Sequence, residues 1–528
     1  MGMPQEHQAP PGGDPGSAEA VPQASSPPAA APRADPVAWL IALATFAAYA
    51  VISVSRYLRL DPGSWDLGIF TEYVKQIAHF HAPVVAIRGA GFDLLGDHFQ
   101  PIVGLLAPVF RVFPSPVTLL VAQALLTGIS VVPVCRAAQV KLGTGASRLI
   151  GAAYGFSWGL QQMINFDFHE IAFAVPLLAF SLSALVRRRL RATVAWALPL
   201  VFVKEDQGFT LAALGLVMVG MGVAAYLRAR QAGAAAERAQ TDWAWAGLLL
   251  IVWGVGWSMA AIGWIIPHFN PTHAYPYWYD GGAASPVGHF TLPGILHQLG
   301  ASGGEKLHTT IMILLPVAFL ALRSPLLLVA VPSLALRFLS TNSYFWNTDW
   351  HYSATVMPIV FLAAVDGMAR IAARSAERAA RRAGAGPPAW RRPGPVIARY
   401  GGVVMLGIAA WLAFQFPLSG LWRGTTYQIS PHVQAEEMAL RHVPSGTTVE
   451  ATLSLLASLA SRDNTFWVGS TGDTGPRYVV FDQTNSGYSP APTDVVSFID
   501  QQHTGYSYRQ VFADDGVYVL RLTPLTGG

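Results

Sequence analysis

Ser64-Trp-Asp-Leu-Gly-Ile-Phe70 lies directly after the first long apolar run of the chain, and Gly96-Asp-His-Phe-Gln-Pro101 closes the same polar interval before the second run. An interval of this length between two apolar segments, carrying acidic, His and aromatic side chains, is the first place to look for chemistry. How it is read depends on what flanks it. The run from Val37 to about Tyr57 is long enough to cross a bilayer, and similar runs recur along most of the sequence.

Of 528 residues, 52% are hydrophobic and 12% charged, and the mean hydropathy is +0.38. Soluble domains carry about 25% charged residues, so the expected class is an α-helical multi-pass membrane protein. A formal charge of +4, with basic residues confined to short loops, gives nucleic-acid binding no support. The single cysteine, Cys135, excludes an intramolecular disulfide and any CxxC metal site, and its apolar neighbours point to packing.

Residues 1–36 are rich in Pro, Ala, Gly and Gln and are expected to form a disordered cytoplasmic tail. The following run reads as a retained first helix rather than a signal peptide. Basic clusters at 136–148, 187–191, 228–238 and 370–399 all fall on the cytoplasmic side under the positive-inside rule. The solution that satisfies them has about eleven spans between residues 37 and 416, centred on 38–57, 116–135, 149–164, 171–186, 192–203, 207–227, 243–266, 308–322, 325–339, 353–369 and 396–416. The long first outer loop then covers 58–115. Within it, 67–80 has the spacing of a helix lying on the membrane surface, and 101–113 reads as an interfacial or re-entrant helix. Residues 420–528 regain ordinary polarity. Strand-like runs at 447–452, 464–468, 477–482, 506–511 and 517–522 alternate with helical stretches near 431–442, 453–461 and 491–502, which predicts a small extracytoplasmic α/β domain.

This topology gathers the uncommon polar residues on the outer side: Asp66, Asp97-His98, Asp167, His169, Glu170, Lys204-Glu205-Asp206, His268, His273, Asp280, His289, and Asp349 with His351 and Tyr352. Ionisable groups at the membrane boundary are costly unless paired or facing a wet cavity, so a functional reading comes first. Each has a plainer alternative. Asp66 opens a helix, where a carboxylate favours the dipole. Short Asp/His pairs also make ordinary loop contacts. Most rings of 275–279 and 344–352 read as an interfacial aromatic belt. Lys204-Glu205-Asp206 is the least expected, because burying three charges for structure alone is rarely favourable.

In order, Trp65-Asp-Leu-Gly-Ile-Phe70, Gly96-Asp-His-Phe-Gln-Pro101, Phe113-Pro-Ser-Pro-Val-Thr-Leu119, Phe166-Asp-Phe-His-Glu170, Val203-Lys-Glu-Asp206 and His351-Tyr352 resemble a family of uncharacterised multi-pass bacterial membrane proteins, a domain of unknown function of the DUF2079 type. The resemblance covers most of the chain from about residue 38. That family in turn looks like a distant relative of the GT-C glycosyltransferases, which carry an acidic residue in a long first outer loop and use a polyprenyl-phosphate sugar. No adjacent Asp-Glu pair stands in the loop here.

The resemblance implies an inverting transfer of a sugar from a lipid-linked donor to a glycan, lipid or protein acceptor at the outer face of the cell membrane. Asp66 is the expected base, with Asp97 or Asp167 as alternatives. Lys204, Glu205, His351 and Tyr352 are expected at the substrate phosphate, and His98, His169 and Glu170 are candidate ligands for a divalent metal. Two other readings remain open: a transporter or flippase of a lipid-linked or small polar solute, and a non-catalytic membrane scaffold.

Overall fold

A computed structural model describes residues 2, 35–62, 64–232, 238–277, 292–381, 393–472 and 475–523. Of the expected tail over 1–36, residue 2 is described and Asp35 and Pro36 are the cap and first residue of a helix; its other residues, the polar candidates Asp280 and His289, the rings of Trp278 and Tyr279, and Arg382, Arg391 and Arg392 of the last basic cluster lie outside the described residues. The described chain is mostly helical.

The first half runs α1 (Pro36–Leu58), α2 (Asp66–Ala78), α3 (Ala107–Val112), α4 (Pro116–Leu142), α5 (Thr144–Gly155), α6 (Trp158–Asn165), α7 (Ala174–Val186), α8 (Leu190–Ala197), α9 (Gln207–Gln231) and α10 (Arg238–Ala260). There follow α11 (Ile266–Phe269), α12 (Leu292–Gly300), α13 (Gly303–Leu314), α14 (Val331–Leu339), α15 (Val356–Arg381) and α16 (Pro393–Ala413). Among the described residues, five helical stretches are long and apolar enough to cross a membrane: Pro36–Leu58, Pro116–Leu142, Gln207–Gln231, Thr241–Phe269 and His351–Arg378.

Other expected spans are helical but interrupted. The segment over 149–164 is two helices, because Ser157 is extended; Gln161 Nε2 donates to the Phe156 carbonyl freed at the break, at 2.7 Å. The 192–203 segment changes to a 3-10 turn at Pro199, and 308–322 breaks after Pro316, where Ala318 and Phe319 turn left-handed.

Some helices close on each other through glycines. On α9, Gly208 and Gly215 face Gly254 and Gly247 of α10; a Cβ on Gly254 would stand 2.3 Å from the Gly208 carbonyl oxygen, and one on Gly215 would stand 2.4 Å from that of Gly247. Such pairs let two backbones approach where no hydrophobic driving force separates lipid from helix.

The C-terminal part follows the expected pattern closely. It contains α17 (Pro431–Arg441), β1 (Thr448–Ala451), α18 (Leu453–Ala460), β2 (Asn464–Trp467), β3 (Tyr478–Asp482), α19 (Val495–Gln502), β4 (Tyr508–Asp514) and β5 (Val517–Leu522). The five strands form one sheet in the order β2-β1-β3-β5-β4, in which β1 runs parallel to β2 and β3 while β5 is antiparallel to β3 and β4. All five residues of β3 are buried, as a central strand covered on both faces requires.

One expectation changes in kind. The helix over 67–80 forms, as α2, but it does not lie at a surface. Leu67 through Val74 are all buried, because α18 packs on one side of α2 and the 3-10 turn Pro101–Leu106 and α3 pack on the other. The polar positions that suggested a water-facing side are used for docking. Lys75 Nζ donates to the Ala460 and Asp463 carbonyls at 2.6 Å each, and Glu72 accepts from the Ile87 N–H at 3.3 Å. Trp65 meets Trp467 edge to face at 5.7 Å, and the Tyr57 and Ser458 hydroxyls are 3.2 Å apart. The loop is thus the seat of the C-terminal domain.

Two outcomes test these contacts. Gly254→Leu overpacks the α9–α10 contact and costs about 1–3 kcal/mol, read as a lowered midpoint of thermal unfolding in detergent. Burial pushes the Glu72 carboxyl up to about 7 from 4.5. A raised carboxyl pKa in the folded state favours the protonated form there, so its contribution is intact below 4.5 and is lost as pH rises towards 7. Relative to Glu72→Gln, the wild type therefore loses stability across that window, and parallel pH–stability curves for the two proteins would refute the assignment.

Candidate functional site

The first loop, the 166–170 turn, the 204–206 turn, the segment after α11 and the 333–355 region converge on one cavity of ≈ 380 Å³, lined by Asp66, Asp97, His98, His169, Glu170, Lys204, Glu205, His351 and Tyr352. A volume of this size falls within the range of small-molecule pockets, about 300–1,000 Å³. These nine side chains and Asp206, all singled out from sequence, therefore share one site.

Its electrostatic centre is the Glu170 carboxylate, held between an ammonium and an imidazole. Lys204 Nζ is 3.0 Å from Glu170 Oε1, and His169 Nδ1 is 2.5 Å from Glu170 Oε2. Burial alone would lower the Lys204 ammonium, but Glu170, Glu205 and Asp206 hold it above its ordinary value. It is a charged donor at neutral pH. The φ of +79° at Asp167 turns the chain so that His169 and Glu170 face inward. Gln123 of α4 fixes this turn: its amide donates to the Asp167 carbonyl and its Oε1 accepts from the His169 N–H. The ring of His351 stacks on His169 at 3.8 Å between centroids and lies 4.4 Å from Phe166.

Glu205 anchors a second group. Its carboxylate is 2.7 Å from His98 Nδ1, and it accepts from the Phe99 N–H at 3.1 Å and from the Tyr275 hydroxyl at 3.0 Å. Burial would raise this carboxyl, yet His98 and Lys204 bring it below the usual range. Asp97 accepts from the Tyr277 hydroxyl at 2.8 Å and pairs with Arg88 at 3.3 Å, while Tyr277 stacks on His98 at 4.5 Å. Tyr275 and Tyr277, expected in an aromatic belt, are thus cavity residues held by carboxylates.

Asp66 is the first residue of α2, where its backbone N–H donates to Ser64 Oγ at 3.0 Å. Its side chain is half-buried on the cavity wall. Burial raises its pKa, and nearby His169, Ser64 and Lys204 only partly offset that. A raised carboxylate is a stronger proton acceptor when it ionises. The structural role at the helix start and a chemical role in the cavity are therefore compatible.

Asp167 does not line the cavity. It accepts from the Ser64 N–H at 3.2 Å and lies 3.9 Å from Arg56, so it ties the start of the first loop to α1. The expected metal ligands also separate: His98 turns to Glu205 while His169 turns to Glu170. Among the described residues, the group of three His, Asp or Glu side chains whose ligand atoms all lie within 4.8 Å of one another is elsewhere, at His432, Glu436 and Asp482.

Two cavity cations were missed from sequence. Arg88 belongs to the first loop, and Arg337 is buried in the apolar α14, donating to the Phe345 and Asn347 carbonyls. A lone arginine inside an apolar run was the available signal for the second.

The Lys204–Glu170 pair has a direct test. Lys204→Met leaves the buried Glu170 carboxylate with His169 as its remaining partner, which costs up to about 3–5 kcal/mol. Adding Glu170→Gln recovers much of that loss in thermal unfolding, whereas additive losses would mean that the two side chains do not interact.

A comparison with curated proteins finds no match. The model of a family described as "Predicted membrane protein (DUF2079)" matches residues 56–519 of the 528. The match begins at the end of α1 and runs through the first loop, every cavity-lining residue and nearly all of the C-terminal sheet. The chain belongs to the DUF2079 family of predicted membrane proteins.

Proposed function

We propose that this protein is an inverting, GT-C-like membrane glycosyltransferase that moves a sugar from a polyprenyl-phosphate donor to a glycan, lipid or protein acceptor at the outer face of the cell membrane. In this reading about eleven segments span the bilayer, the N-terminus is cytoplasmic and the C-terminal α/β domain is extracytoplasmic. The observation that carries it is the meeting of Asp66, His169 and Lys204, far apart in sequence, on one cavity of ≈ 380 Å³.

The chemistry is a single displacement. The acceptor hydroxyl attacks the anomeric carbon as Asp66 takes its proton, and the bond to the donor phosphate breaks with its electron pair leaving on the phosphate oxygen. Attack from the face opposite the leaving group inverts the anomeric centre. Lys204, with three ammonium donors, keeps one towards Glu170 and turns another to the departing phosphate. Glu205 holds His98 in place, and the His351 and Tyr352 rings supply a wall for the sugar. A divalent cation at His169 and Glu170 would share the neutralisation of the phosphate.

Asp66→Asn removes the base while keeping the shape of the side chain. Release of sugar from a radiolabelled polyprenyl-phosphate donor should fall by about 10²–10⁴-fold, with expression and thermal stability retained. Near-normal transfer by this variant sinks the assignment. Solute uptake into proteoliposomes that survives the loss of Asp66 would favour a transporter instead.

A further inference from the structure

We propose that His432, Glu436 and Asp482 form a binding site for a divalent transition-metal ion in the C-terminal domain, apart from the cavity described above. None of the three lines that cavity. His432 and Glu436 are four residues apart on α17 and so share one face of the helix. Asp482 ends β3. One ligand atom from each lies within 4.8 Å of the other two, and His432 Nε2 is 3.2 Å from Asp482 Oδ1. With metal bonds of about 2.1 Å, tetrahedral ligands stand about 3.4 Å apart. Small side-chain rotations close the remaining gap.

The surroundings are those of a prepared site. Glu436 is 1% exposed, and its Oε1 has no hydrogen-bond partner. A buried carboxylate oxygen with nothing to accept from calls for an explanation, and a cation supplies one. The Asp482 carboxylate is held by the Thr484 and Asn485 N–H groups at 2.8 and 3.1 Å. On the other side of His432, Nδ1 is 3.0 Å from the Asp515 carbonyl oxygen, which fixes the ring with Nε2 towards the two carboxylates. The His432 side chain keeps 22% of its surface exposed, which leaves a way in.

The position in the fold agrees. The chain leaves β1, crosses through α18 to β2, and returns to β3 on the other side of β1. Asp482 therefore stands at the carboxyl end of the parallel strands where the strand order reverses, the crevice in which open α/β sheets bind ligands. One imidazole and two carboxylates suit Zn²⁺ or Mn²⁺ and leave further positions for water or a bound group. The competing arrangement, an imidazolium clamped between Asp482 and Asp515, leaves the Glu436 carboxyl with the Ser454 hydroxyl, which also lies 3.4 Å from Asp482.

The test uses the full-length chain in detergent, stripped with a chelator and titrated with Zn²⁺ by calorimetry and metal analysis. Wild type should bind one more Zn²⁺ per chain than His432→Asn or Glu436→Gln, and His98→Ala should retain that equivalent. Equal stoichiometry in wild type and both C-terminal variants overturns the proposal, as does loss of the equivalent only in His98→Ala. A measurement that needs no substitution guards against misfolding: bound Zn²⁺ should slow carbethoxylation of His432 in the wild type at least tenfold. Unchanged modification also overturns it.

Discussion

Lys204 and Glu170, 3.0 Å apart and enclosed by apolar helices, set the terms for everything around them. Neither charge is tolerable alone in such surroundings, and together they still leave lone pairs and protons to satisfy. Glu170 is therefore also held by His169, and His169 is covered by the ring of His351. The next residue, Glu205, repeats the pattern with His98, the Phe99 N–H and Tyr275. A chain of such pairs lines the cavity, and the turns that carry them interrupt segments that would otherwise continue as helices. The break at 203–206 serves that need, since Lys204, Glu205 and Asp206 line the cavity.

The first loop serves two masters. One side of it, through Asp66, Arg88 and Asp97, is cavity wall. The other side, through Trp65, Gly68 and Lys75, is the platform on which the C-terminal domain sits; a Cβ at Gly68 would come 3.3 Å from Leu456. A shift of the C-terminal domain would therefore be felt at Asp66. The amphipathic spacing of α2 points to a helix with two kinds of neighbour; Lys75 meets the end of α18 and the turn into β2, and Glu72 meets the Ile87 N–H. Periodicity reports that a helix has two kinds of neighbour and not which neighbours they are.

How much of the site was legible depends on the residue. Lys204-Glu205-Asp206 announced itself, because three charges in an apolar stretch have few structural excuses. Asp66, His98 and His169 were visible as polar residues flanking spans. Asp167 looked equivalent to them, yet its left-handed backbone sends it to Arg56 and Ser64, a difference that composition does not carry. Tyr275 and Tyr277 were hidden for the opposite reason: aromatic residues near membrane boundaries are so common that these two carboxylate-bound rings did not stand out. His432 and Asp482 lie 50 residues apart, and only the fold of the sheet brings them and Glu436 together.

By itself the sequence determined the class of the protein, the helical nature of its apolar segments and the positions of its five strands along the chain, because each rests on local hydrophobic period and length. The tertiary structure alone decided which charges meet. Some partners in the cavity stand more than 100 residues apart, His98 with Glu205 and Asp97 with Tyr277, and even Lys204 and Glu170 come from different segments. Their encounter depends on how helices cross and where they break, and no local pattern encodes that.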